Sequence, residues 1–104
     1  MKIITICGSL KFKKEMIEIA TNLELQGNCI LVPICPENHS KTDYTKEELE
    51  MLGKMHKEKI KISDAILVVN INNYIGNSTK SEIEFAKTLN KEITYYTDII
   101  NDNL

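Results

Sequence analysis

The chain has 104 residues, room for one compact domain, and its 42% hydrophobic and 27% charged content is that of a globular protein. Thirteen Lys and no Arg stand against fifteen Asp plus Glu, a net charge of −2. That balance disfavours a nucleic acid polymer as partner, which needs a basic face. The clusters Lys11, Lys13, Lys14 and Lys54, Lys57, Lys59, Lys61 are interleaved with Glu and read as solvated helix faces.

In chain order, residues 2–7 (KIITIC) form an apolar, β-branched run that reads as a buried strand ending at Gly8-Ser9. From Phe12 to Gln26 the spacing turns helical, with Phe12, Met16, Ile19, Ala20 and Leu23 inward and Gly27 as the stop. Cys29 to Ile34 is a second strand, closed by Pro33 and Pro36, and residues 35–44 read as a loop. Thr45 and Glu48 make a capping box. The helix it opens runs to about Ile62, with Leu49, Leu52, Met55, His56, Lys59 and Ile60 near one face. Residues 65–70 are a third, fully buried strand, and 71–78 a loop rich in Asn and Gly. Ser78 or Thr79 is expected to cap a third helix that turns Ile83, Phe85, Ala86 and Leu89 inward. Asn90 suits its left-handed end. Glu92 to Tyr96 make a fourth strand, and the tail reads as a frayed helix or a docking segment.

Strands alternating with helices predict an α/β fold: a small doubly wound, flavodoxin/Rossmann-like, parallel four-stranded sheet in the order 2-1-3-4, with helices on both faces. The chain is expected to be a single domain over 1–104. No apolar run is long enough for a membrane span and the start lacks the features of a signal peptide, so the expected location is cytoplasmic, with no membrane partner. Cys7, Cys29 and Cys35 are an odd set without a CxxC pair and read as thiols in a reducing compartment. Cys35 and His39 have a metal-compatible spacing but no second ligand pair, so no metal site is expected.

Ligands of such sheets bind outside the carboxyl ends of the strands, at the switch point between strands 1 and 3. This selects Cys7–Phe12, Ile34–Tyr44 and Asn70–Glu82. The first offers Gly8 and Ser9 at a strand-to-helix turn, where backbone N–H groups can approach an anion, with Lys11 beside them. It is neither GxGxxG nor a Walker A motif. The third brings Asn70, Tyr74, Gly76, Asn77, Ser78, Ser81 and Glu82 to the start of a helix, whose dipole favours a charged carboxylate in the first turn. The serine hydroxyls suit an anion, Lys11 supplies positive charge without the fork of an Arg, and Tyr74 offers an aromatic ring in a polar loop.

The Gly-Ser turn, the Asp64-led strand ending in Asn70, and above all YIGNSTKSEIEFAKTLNK resemble the nucleoside 2-deoxyribosyltransferase-like superfamily, which includes the 2′-deoxynucleoside 5′-monophosphate N-hydrolases. The resemblance places Glu82, in Glu82-Ile83-Glu84-Phe85-Ala86, at the nucleophile's position and leaves Glu84 on the surface. It implies cleavage or transfer at an N-glycosidic bond with retention, no cofactor, and a homo-oligomer. His56, Asp64, Asp43 and Tyr44 are candidates to protonate the leaving base, His56 standing where the family carries an Asp. Ile6 stands where its transferases carry a strand-1 Tyr. The alternative is a non-catalytic nucleotide sensor or sequestering protein. The richness in Lys, Ile and Asn fits a bacterial or phage genome rich in AT.

Overall fold

The computed structural model describes residues 1–34 and 43–102. The β-branched runs form β1 (Ile3–Gly8), β2 (Cys29–Leu31), β3 (Ala65–Val69) and β4 (Glu92–Tyr95). The amphipathic segments form α1 (Lys13–Leu25), α2 (Lys46–Ile62) and α3 (Asn77–Thr88), and the tail forms α4 (Tyr96–Asp102). All strand pairs are parallel and lie in the order β2-β1-β3-β4, the expected topology.

Because alternate strand residues point to opposite faces, the sheet divides the core in two. Cys7, Ile66 and Val68 pack with Ile60 of α2 and Ile83 and Ala86 of α3. Ile6, Ile30 and Val69 pack on the other face with Met16 of α1. Each fully buried Ile, Val or Met adds about 1.5–3 kcal/mol. Since helices cover both faces, β3 is buried along its whole length, which is why it reads as an unbroken apolar run.

Element ends depart from the sequence expectations for local reasons. The Gly8-Ser9 turn leads first into a single 3-10 turn, Leu10–Phe12, and only then into α1. β2 stops at Leu31 rather than Ile34: the Lys59 ammonium takes the Val32 carbonyl at 2.8 Å, and Pro33 brings no N–H to a ladder. Burial holds that ammonium below the usual Lys range. α3 opens one residue before Ser78, with Gly76 at its N-cap and no side-chain cap. Tyr96 belongs to α4 rather than to β4, and Leu89 is exposed at the C-cap of α3 rather than inward. The Thr45–Glu48 capping box is present, with reciprocal bonds of 2.9 and 3.1 Å, and Asn90 takes the left-handed position at φ 57°. Cys35, His39 and most of the second loop lie outside the described residues. Among the described residues no helix is long and apolar enough to cross a membrane.

Candidate active site

The register sets Gly8 of β1 level with Val69 of β3, and the loops leaving these carboxyl ends surround a cleft of about 630 Å³. The first turn contributes Gly8, Ser9 and Leu10, and the chain after β2 contributes Pro33 and Ile34. Leu49, Leu52, Gly53 and His56 form the α2 wall, while Tyr74, residues 76–79 and Glu82 form the α3 side. Gly8 sits where space is tight: a Cβ there would lie 3.1 Å from the Val69 carbonyl oxygen and 3.2 Å from Met16 Sδ. Gly53 is the opposite case, with nothing within 4 Å of where its Cβ would sit. The first-turn residues of α3, Asn77, Ser78 and Thr79, all line the cleft. Since Gly76 has no side chain to cap them, their N–H groups are suited to a bound anion.

The chemistry concentrates where three elements meet. Glu82 comes from α3, His56 from α2 and Cys7 from β1. His56 Nε2 lies 3.4 Å from Glu82 Oε1 and 3.5 Å from Cys7 Sγ. Glu82 retains 20% side-chain exposure, whereas His56 is only 6% exposed and Cys7 fully buried. His56 Nδ1 is buried and has no hydrogen-bond partner among the described residues. Burial first, then the charge of Glu82 and a hydrogen bond with it, push the Cys7 thiol well above its ordinary value. Cys7 is therefore a protonated neighbour of the carboxylate at neutral pH rather than a nucleophilic thiolate. Cys7 Sγ, a His56 ring nitrogen and a Glu82 oxygen lie within 4.8 Å of one another, a set able to hold a metal ion.

Most of the residues singled out from sequence come together here: Gly8, Ser9, His56, Tyr74, Gly76, Asn77, Ser78 and Glu82 all line the cleft. Lys11 sits at its edge, with Nζ 3.4 Å from the centroid of the Tyr74 ring, which also meets Phe12 edge-on at 5.9 Å. One face of Tyr74 is thus covered by a cation. Three residues do not belong. Asp64 precedes β3, so it lies at the opposite edge of the sheet, one strand length or roughly 17 Å away, where it accepts the Ile3 N–H at 2.8 Å. Asn70 is buried and its amide grips α4, donating to Thr97 Oγ1 at 3.1 Å and accepting the Thr97 N–H at 3.2 Å. Ser81 is exposed on α3 outside the cleft.

Glu82 itself needs a correction. With Gly76 as N-cap it falls in the second turn of α3, beyond the first-turn reach of the helix dipole, and its carboxylate stands 3.4 Å from His56 Nε2. The strand residue beside it is Cys7, since Ile6 points to the α1 face. Cys7 was missed because burial alone does not reveal what a thiol touches. Leu49, Leu52 and Gly53 share the helical stripe of His56, and that spacing was the available sign of a cleft wall. No protein-family model matches the chain, and a search of curated proteins finds no match to it.

Proposed function

We propose that the cleft binds a 2′-deoxynucleoside or its 5′-monophosphate and that Glu82 cleaves its N-glycosidic bond. The observation that carries this reading is the Glu82–His56 pair, 3.4 Å apart at the cleft wall, with Glu82 partly exposed and His56 Nδ1 left without a partner among the described residues. In this scheme a Glu82 oxygen attacks the anomeric carbon as the bond to the base breaks, giving a glycosyl ester on Glu82. His56 stands on the cleft wall beside that carboxylate, with Nε2 3.4 Å from Oε1, and the departing base takes its proton from water. Water, or a second base, then takes the sugar from Glu82, with net retention. Tyr74 supplies an aromatic face for the base, and the uncapped N–H groups of α3 with the Ser9 and Ser78 hydroxyls supply the donors a 5′-phosphate needs. The resemblance to the deoxyribosyltransferase-like proteins supports the same assignment of Glu82.

The test is incubation of the protein with a panel of 2′-deoxynucleosides and their 5′-monophosphates, with and without added acceptor bases, reading free base or exchanged nucleoside by chromatography. Release that disappears in Glu82→Ala is the expected result. No release with any substrate, together with binding that survives Glu82→Gln, would replace the enzyme with a nucleotide-binding protein.

A further inference from the structure

We propose that Cys7, His56 and Glu82 form a three-ligand site for a divalent transition metal, zinc above others, and that a bound ion removes Glu82 from glycosidic chemistry. The binding half stands on geometry alone; the inhibitory half rests on the reading of Glu82 as the nucleophile.

The donor set is one that zinc favours: a sulfur, an imidazole nitrogen and a carboxylate oxygen. Zinc bonds of about 2.3 Å to sulfur and 2.0–2.2 Å to nitrogen or oxygen fix the ligand separations of a tetrahedral site at about 3.3–3.6 Å. The two nitrogen-centred separations here are 3.4 Å to Glu82 Oε1 and 3.5 Å to Cys7 Sγ. The first lies at the long end of the hydrogen-bond range and the second within the range for sulfur, and both also match the separations across a shared ion. All three donor atoms fall within 4.8 Å of one another. Each comes from a different element of the fold, so packing holds the set together without a local sequence motif. Glu82 and His56 line the cleft, and the partly exposed Glu82 gives an ion its entry.

Binding replaces the Cys7 S–H bond with a metal–sulfur bond, and His56 coordinates through an Nε2 without a proton; the thiol proton, and any proton on Nε2, pass to solvent, and no electron is transferred. With both Glu82 and the sulfur engaged, the carboxylate no longer has a free oxygen pair aimed at a sugar, so metal-loaded protein is expected to release no base.

The test uses chelator-treated protein titrated with Co²⁺, whose thiolate charge-transfer band and tetrahedral visible bands report the ligand set, followed by displacement with Zn²⁺. One Co²⁺ per chain is expected, with the charge-transfer band lost in Cys7→Ser and kept in Cys29→Ser and Cys35→Ser. Absence of the band in the wild type, or its loss in Cys35→Ser with retention in Cys7→Ser, overturns the site. If circular dichroism shows Cys7→Ser unfolded, Glu82→Gln decides: affinity falling at least about tenfold supports the site, and unchanged affinity overturns it. Base release by metal-free protein should stop with one equivalent of Zn²⁺ and return with chelator. Release indifferent to zinc overturns the inhibitory half. Metal binding without any base release from metal-free protein overturns the glycosidic reading and leaves the metal site standing.

Discussion

At the amino ends of β1 and β3, polar groups satisfy one another. Asp64 accepts the Ile3 N–H at 2.8 Å, Lys91 Nζ reaches the Lys61 carbonyl at 2.9 Å, and Lys2 pairs with Glu92. Just inside, the buried Thr5 and Ser63 hydroxyls both donate to the Lys59 carbonyl, at 3.0 and 2.6 Å, and also contact each other. At the carboxyl ends of the same strands the pattern reverses. Glu82 and His56 stand 3.4 Å apart, His56 Nδ1 has no partner among the described residues, and α3 begins without a side-chain cap. A buried polar atom without a partner is costly, at about 1–3 kcal/mol. Under the proposed function, a bound ligand would complete the bonding at this end. The closed end secures the strands, and the open end is available for chemistry.

The sharpest way to break this contrast is to neutralise one carboxylate at each end. Glu82→Gln is expected to lower base release by a factor on the order of 10⁴ or more, as loss of a nucleophile does. Asp64→Ala is expected to leave turnover of the folded protein unchanged and to lower stability by about 1–2 kcal/mol, through loss of the bond to Ile3. Denaturant titration beside the chromatographic assay reads both. A catalytic defect in Asp64→Ala at wild-type stability would reverse the assignment of the two ends.

A smaller effect should appear in the pH dependence of stability, measured on metal-free protein. Burial and the neighbouring Glu82 raise the folded-state pKa of Cys7. Above about pH 8.5 an unfolded thiol loses its proton while the folded one keeps it. The unfolded state then binds fewer protons, so stability falls as pH rises towards the folded value, by up to about 1.4 kcal/mol per pH unit from this group. Comparing wild type with Cys7→Ser isolates it from Lys59 and the other groups that titrate in this range. Equal slopes in the two proteins would mean that the thiol is less shielded than its position implies.

The sheet order was legible because strand and helix periods alternate without interruption and parallel crossovers leave few topologies. The position of the cleft followed from that order. Residue roles were legible only in part. Asp64 could have been rejected from sequence, since a residue that precedes a parallel strand lies at the edge away from the site. Asn70 could not, because its partner Thr97 is 27 positions away and depends on how the tail folds. Cys7 and His56 became neighbours of Glu82 only through the packing of α2 and α3 on one face of β1. His56 had been singled out by family correspondence, but its contact with the thiol has no sequence pattern.

Gly53 carries a consequence for heat tolerance and substrate size together. It lies in the interior of α2 on the cleft wall, and beyond its chain neighbours and its own helix backbone an added methyl would meet nothing within 4 Å. Gly53→Ala should therefore stiffen the helix by about 0.5–1 kcal/mol, raising the melting temperature by roughly 2–8 °C in a domain of this size. The same methyl would occupy room now open to a ligand, so the hardier protein should accept bulky bases less well than small ones. The wild-type chain forgoes that thermal margin, and its cleft keeps a softer, wider wall.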